Sequence, residues 1–479
     1  MIFPSYIFVL VFLPCVLAGW YGLRSVRLRL GFLTVCSYIF YGWWDYRFVV
    51  LMLATTLLDY FVGRAISLTD NVEARRRYLA LSVAGNLASL GFFKYFNFFS
   101  ESLAELLGGL GLEANVPMLH VVLPIGISFY TFQSMSYSID IYRGKCKPTG
   151  DLLSFLAYVS MFPQLVAGPI VRYDFVEGQL RNLGRQPASL DGISDGVWLF
   201  VVGLVKKIWI ADALSPVVAL AFDGGSAPAF YTAWAGTVCY TFQLYFDFSA
   251  YSDMARGLGG MLGFAFPVNF DSPYKAGNIA EFWRRWHITL SEWLRDYLFI
   301  PLGGSRGSMV KTLRNLGMVM FLGGLWHGAA WNFVAWGLLH GLLLIVYATW
   351  KRVGPVTLPR PVGVAVTFFC VMIGWAVFRA DSLGGALEVL AGLAGLHGFE
   401  PLTYYSTTFG LNLPALYGTT GGAHGLAFLT LVALVAFLAP NSQQLPKPRH
   451  PAFGVACGLI VLCAVTTFMD EAPFLYFEF

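Results

Sequence analysis

The sequence predicts an all-α integral membrane protein, on three observations. Of 479 residues, 57% are hydrophobic and only 12% are charged, against about 25% charged in a typical soluble domain. Mean hydropathy is +0.64, and a soluble chain with that composition would expose large adhesive patches. The apolar residues also gather into runs approaching the roughly 20 residues that a helix needs to cross a bilayer. Thirteen such segments lie between 2–22 and 452–469, several of them too short for an upright crossing. The expectation is 11 to 13 transmembrane or re-entrant helices in one polytopic domain over 1–479. No long polar linker and no repeat with a period of roughly 20 to 50 residues divides the chain.

Taken in order, the first apolar run is expected to stay as a helix rather than be cleaved. No Lys or Arg precedes Arg24, and no small-residue cleavage pattern follows the run. Arg24, Arg27 and Arg29 follow it, which puts the N-terminus outside by the positive-inside rule. The cluster Arg64, Arg75, Arg76 and Arg77 then falls inside, and the loop with Glu101, Glu105 and Glu113 outside. Arg143, Lys145 and Lys147 return inside. Beyond them the alternation breaks down, which suggests re-entrant or half-spanning elements around 152–310. Net charge is only +4, so nucleic acid is not a natural partner. Six of the seven Cys sit in or beside apolar runs and read as small core residues, while Cys146 stands in a basic loop where lipidation is the alternative. The sequence has no CxxC, no HExxH and no clustered metal-ligand spacing, so neither a structural disulfide nor a metal is expected.

The longest charged interruption is 267–314. It carries Lys275, Arg284, Arg285, Arg295, Arg306, Lys311 and Arg314 against Asp271, Glu281, Glu292 and Asp296. A basic excess is ordinary for a cytosolic-side segment. The other reading is that it binds an anionic, phosphate-bearing donor such as coenzyme A or a carrier phosphopantetheine. Within it, 278–298 (NIAEFWRRWHITLSEWLRDYL) reads as an amphipathic helix with Asn278 as its N-cap. At about 100° per residue, Phe282, Trp286, Leu290, Trp293 and Tyr297 form an apolar face. Glu281, Arg285, Glu292 and Asp296 form a charged one, with Glu281 and Arg285 spaced as an i,i+4 pair. A third stripe holds Arg284, His287, Ser291 and Arg295. His287 there is either functional or an interfacial histidine beside headgroups.

His327 lies inside an apolar run, FLGGLWHGAAWNFVAWGLLHG. Ionisable residues in a span are costly and usually face the bundle interior or a watery path. Gly323, Gly324 and Gly328 let a ligand or another backbone approach, and Trp326 and Trp331 could wall a narrow tunnel. Apolar surroundings favour the neutral imidazole, which can take a proton from a hydroxyl nucleophile. A helix-packing histidine bonded to a carbonyl fits the same facts, and both readings stand at this level. His340, roughly 140° away on a straight helix, would not share that face and reads as structural. Asp247 and Asp253 read as ion-pair partners of Arg256 or Lys275, with a place along a tunnel as the alternative. His120, His397, His424 and His450 lie near span ends or in loops and are assigned no chemistry.

These residues fall in segments that resemble a known family. The chain is similar to the membrane-bound O-acyltransferases, and most of all to their bacterial alginate O-acetyltransferase branch. The matching segments are MIFPSYIFVLVFLP, SYIFYGWWDYRF, LPIGISFYTFQSMSYSIDIYRG, FPQLVAGPIVR, FQLYFDFSAYSDMARGLG, EFWRRWHITLSEWLRDYLFIPLGG, LGGLWHGAAWNFVAWGLLHG, IGWAVFRA and the ending PFLYFEF. The pairing of FWRRWH with a following LWHGAAW is the most specific of them. The resemblance implies tilted helices forming two funnels that nearly meet at a reaction centre, with a tunnel between them. It implies that His327 is the catalytic base and that His287 occupies the second family position, polarising or orienting the reacting groups. By charge and position alone, Lys275, Arg284 and Arg295 are expected to steer donor phosphates, while Trp326, Trp331 and Ser291 are expected to line the tunnel or donor site. No bound cofactor is implied, and acetyl-CoA is the implied donor substrate.

The resemblance further implies a multi-pass protein of the bacterial inner membrane that passes acetyl across it, for O-acetylation of a secreted polysaccharide such as alginate. A periplasmic SGNH-type acetyltransferase partner and exopolysaccharide machinery would complete the reaction, with the loop near 396–424 as a docking surface. Another envelope acceptor (peptidoglycan, cellulose or teichoic acid) is the alternative, and a non-catalytic transporter with broken helices a third reading.

Overall fold

The computed structural model describes residues 1–112, 116–119, 121–183, 189–354, 356–400, 422–447, 452–466 and 474–475. Glu113, His120, His450 and most of the loop near 396–424 therefore lie outside the described residues, as does the aromatic ending apart from Phe474 and Leu475. Among the described residues the regular structure is all helix, with no strand. Four helices are long and apolar enough to cross a bilayer: Arg47–Ser67, Val72–Gly109, Trp331–Val353 and Arg360–Arg379. Shorter apolar helices cover Phe8–Gly22, Leu383–Leu393, Gly425–Leu438 and Phe453–Thr466. The segment at 152–171 is broken into Leu152–Ser160 and Phe162–Leu165. At about 1.5 Å per residue, neither piece reaches across a hydrocarbon core of about 30 Å.

Two compact units divide the chain: Met1–Val197 with Ala255–Pro267, and Trp198–Met254 with Val268–Phe479. The first unit is built around a polar knot. Asp59, fully buried on Arg47–Ser67, accepts hydrogen bonds from the hydroxyls of Ser82 and Ser134, from Ser138 Oγ at 2.9 Å and from Asn86 Nδ2 at 2.8 Å. The donors come from Val72–Leu90 and Ile127–Tyr142, so one carboxylate ties three helices. A buried charge is tolerable only when satisfied in this way. Gly63 completes the contact, because a Cβ there would lie 2.7 Å from the Tyr137 ring.

The second unit holds the charged island and both candidate histidines. Its central feature is a helical hairpin, Met309–His327 followed by Trp331–Val353. Glycines set its closeness and register. A Cβ at Gly324 would lie 2.4 Å from the Phe333 carbonyl oxygen, and one at Gly337 would lie 2.4 Å from that of Met320. Gly324 faces Gly337 while Gly317 faces Gly341, which is the pairing of antiparallel helices. Gly324 therefore admits a neighbouring backbone. Asn332 Nδ2 donates to the carbonyls of Ala380 at 2.6 Å and Phe378 at 3.4 Å, fastening the hairpin's turn to the end of Arg360–Arg379.

The expected single helix over 278–298 is not continuous. Ile279–Arg285 and Ile288–Leu294 are separate, and a π-helical turn, Arg295–Phe299, follows. The start matches the sequence. Asn278 accepts from the Glu281 amide at 2.9 Å, and Glu281 reaches back to the Gly277 amide at 2.9 Å and to Arg285 Nε at 3.0 Å. The apolar face is buried as its spacing predicted: Phe282, Trp286, Leu290, Trp293 and Tyr297 are all interior. The break comes at His287, whose backbone is left-handed (φ 42°, ψ 55°). That turn moves its side chain off the stripe it would share with Arg284 and Arg295.

Candidate active site

The site begins with a backbone conformation that its residue does not favour. Among the described residues only Ser272 and His287 are non-glycines with positive φ, a state worth about 1–3 kcal/mol of strain. Both belong to two segments that pair with each other. The Ile288 amide donates to the Asn269 carbonyl at 2.9 Å, and the Asp271 amide to that of Arg285 at 2.9 Å. Arg285 Nη1 returns a bond to the Asp271 carbonyl at 3.0 Å. The strained turn is thus held from both sides.

Asn269 positions the His287 ring. Its Oδ1 faces the Thr289 amide at 3.2 Å and the Thr289 hydroxyl at 3.0 Å. An amide N–H can only donate, so this atom is the acceptor. His287 Nδ1, 3.1 Å from the same oxygen, must then carry its hydrogen, leaving Nε2 with the lone pair in the neutral ring. Asn269 Nδ2 lies 3.3 Å from Ser252 Oγ. Nothing in the local spacing singled out Asn269; the one available signal was a polar side chain between two apolar ones in FPVNF.

His287 is fully buried. It meets the edge of Phe248 at 4.8 Å and the Trp326 indole at 6.1 Å between ring centroids. His327, the last residue of its helix, is 6% exposed. Trp326 lies 5.0 Å from it, Trp336 4.9 Å and Phe378 5.4 Å, all edge-on. One indole thus touches both imidazoles, which caps their separation at the sum of the two distances. The two histidines that the sequence singled out are both buried among aromatic rings and both contact Trp326.

The remaining candidates sit elsewhere. Trp331 is 51% exposed at the start of its helix. Arg284 is exposed. Arg295 is exposed and paired with Asp296 at 2.7 Å. Lys275 donates to the Ala439 carbonyl at 2.6 Å, and Ser291 Oγ to that of Trp286 at 3.3 Å. His340 does not behave as a straight-helix projection implied. The chain leaves the helix after His327 and resumes at Trp331, so His340 comes back to within 4.8 Å of the Trp336 ring that also meets His327.

Asp247 and Asp253 are structural partners, as expected, but of different cations. Lys207 Nζ lies 2.7 Å from Asp247 and 2.8 Å from Asp212. Lys206 Nζ lies 2.7 Å from Asp253, which also accepts from Ser442 Oγ at 2.9 Å. The two lysines enter through a π-helical turn, Lys206–Ala211. Arg256 instead bonds the Phe266 carbonyl at 3.3 Å. His397 donates to the Pro228 carbonyl at 3.1 Å and lies 3.0 Å from Glu388, which is an anchoring role.

Comparison with known proteins places the chain in a family. Residues 149–358 match the family model described as MBOAT, the membrane-bound O-acyltransferase family, and this span includes both histidines. The chain is 46% identical over 527 residues to a probable alginate O-acetylase of Pseudomonas syringae pv. tomato, covering all of both chains. It is 45% identical over 437 residues to the protein of that name in Pseudomonas aeruginosa, covering 90% of this chain and 81% of the relative. A peptidoglycan O-acetyltransferase of Helicobacter pylori is 37% identical over 520 residues, covering 100% of this chain and 98% of the relative.

Proposed function

The chain belongs to the membrane-bound O-acyltransferase family and is an O-acyltransferase; from that premise we propose that it passes an acetyl group from cytosolic acetyl-CoA across the inner membrane, for O-acetylation of a secreted polysaccharide such as alginate. The observation that carries this reading is the placement of His327 and of an Asn269-oriented His287 on one indole. The names of the three relatives agree on acetyl and differ on the acceptor, alginate in two and peptidoglycan in one. That agreement supports acetyl as the group moved, and the higher identities favour an alginate-like polymer.

In this reading His327 takes the proton of the acceptor hydroxyl as its oxygen attacks the thioester carbonyl carbon. The new C–O bond forms, the C–S bond breaks, and the departing thiolate recovers the proton from the imidazolium. His287 presents its Nε2 lone pair to the reacting groups, or to a water that orients them. Lys275, Arg284 and Arg295 steer the donor phosphates from the charged island. Burial among Trp326, Trp336 and Phe378 excludes water that would hydrolyse the thioester.

The chain crosses the membrane several times in this account, with the four long apolar helices as its surest spans. The acetyl group is handed to a periplasmic SGNH-type partner that places it on sugar hydroxyls, and the segment near 396–424 is the proposed dock. The test is reconstitution of purified protein in sealed vesicles with labelled acetyl-CoA on the cytosolic side. Label appearing on the partner or polymer in the opposite compartment supports the reading. Vesicles that retain all label as acetyl-CoA would overturn it.

A further inference from the structure

Beside His327 lies a second cluster whose polar atoms are not accounted for by packing. Both ring nitrogens of His340 and the indole Nε1 atoms of Trp283 and Trp336 are buried without a hydrogen-bond partner among the described residues. His340 is 0% exposed, Trp336 1% and Trp283 8%. The three rings touch one another, with centroids 4.8 Å apart for Trp336 and His340, 5.3 Å for Trp283 and His340, and 5.8 Å for Trp283 and Trp336. Four orphaned polar atoms in one spot are unusual, because buried polar groups in folded proteins nearly always find partners. The cluster also abuts the proposed base, since Trp336 lies 4.9 Å from His327.

The donor inventory indicates what is missing. An indole N–H can only donate, and an imidazole carries at least one N–H in either neutral tautomer. The cluster therefore offers an excess of donors, which fits an acceptor such as a carbonyl oxygen. Its walls are large rings, with Phe282 and Trp375 at 6.2 and 6.1 Å from His340. Gly374 lets its helix lie close against His340, because a Cβ there would lie 2.9 Å from His340 Nε2. Aromatic walls with a few placed polar groups are the usual make-up of a small-ligand site.

We propose that Trp283, Trp336 and His340 form an acyl-carbonyl subsite next to His327, which holds the carbonyl oxygen of a short acyl group by donated hydrogen bonds. This rests on the reading that the chain transfers an acyl group from a thioester. The bonds strengthen as negative charge develops on that oxygen during attack. The ring walls limit the group to a short acyl chain.

The test uses the full-length protein in membrane vesicles with acetyl-CoA and propionyl-CoA as probes. His340→Phe keeps a ring of similar shape and removes both orphaned nitrogens, so thermal stability should hold or rise. Its kcat/KM with acetyl-CoA should fall about 10- to 100-fold. Trp283→Phe shortens one wall and should raise the propionyl-to-acetyl rate ratio by about tenfold. A stable His340→Phe protein with wild-type turnover would overturn the subsite, and if that variant does not fold, an unchanged chain-length ratio in Trp283→Phe does so. Wild-type protein inactive with acetyl-CoA refutes the donor reading and the subsite with it. Active wild type beside an unimpaired His340→Phe refutes the subsite alone.

Discussion

Replacing Asn269 by alanine removes the acceptor that orients His287, and the structure sets the size of the effect. Three donors converge on Asn269 Oδ1: His287 Nδ1 at 3.1 Å, the Thr289 amide at 3.2 Å and the Thr289 hydroxyl at 3.0 Å. The hydroxyl can rotate toward another acceptor, whereas the amide and the imidazole N–H stay buried and unsatisfied. Each orphaned donor costs about 1–3 kcal/mol, so the two together destabilise the fold by about 2–6 kcal/mol. The left-handed turn at His287 also loses a side-chain brace while its strain of about 1–3 kcal/mol remains. The backbone bond from Ile288 to Asn269 survives, so the segment loosens rather than detaches. The assay is acetyl transfer by detergent-purified Asn269→Ala and Asn269→Asp, with thermal unfolding measured in parallel. Alanine should lower the unfolding temperature and cut kcat by about 10- to 100-fold. Aspartate, which keeps the acceptor, should recover most of the stability. An alanine variant that unfolds and turns over like wild type would refute the positioning role of Asn269.

Lys207→Met strands Asp212 and Asp247 without their shared cation; breaking a buried pair in this way costs about 3–5 kcal/mol. The loss should be partly reversed in the double variant with Asp247→Asn, and calorimetry that finds no coupling between the two changes would count against a shared ion pair. For Glu281, burial raises the carboxyl, but the Gly277 amide and the Arg285 and Arg360 guanidinium groups outweigh it and hold the group below the usual carboxylate range. A depressed carboxylate contributes stability that is present above its unfolded value and lost as pH falls through the folded one. Unfolding temperature should therefore drop on acidification below about pH 4.5, less steeply in Glu281→Gln; parallel curves would exclude this carboxylate as a contributor.

Much of this molecule was legible because its determinants are local. The long apolar helices follow from composition, the Asn278 cap and the Glu281–Arg285 pair from spacing, and the buried Phe282–Tyr297 face from the helical period. The break at His287 was not legible. No Gly or Pro marks it, and the bonds that hold it come from Asn269, distant in the chain. The contact of His340 with the His327 site was hidden by projecting both residues onto one straight helix, whereas the chain turns between His327 and Trp331. Lys206 and Lys207 stood in plain view within an apolar run, yet their partners are fixed by how the helices around Asp247 and Asp253 pack, which no spacing rule encodes. Asp59 is a similar case, since its four donors come from two other helices.

The central claim is that His327 is the base that activates the acceptor hydroxyl. It is tested most directly by the kcat of acetyl transfer in His327→Gln, a variant that keeps a polar side chain of similar reach but cannot take up a proton near neutral pH. Loss of a general base lowers the rate by about 10²- to 10⁴-fold, with donor binding and unfolding temperature close to wild type. A folded His327→Gln enzyme that turns over within about threefold of wild type, a difference well under 1.4 kcal/mol in barrier, would contradict the account.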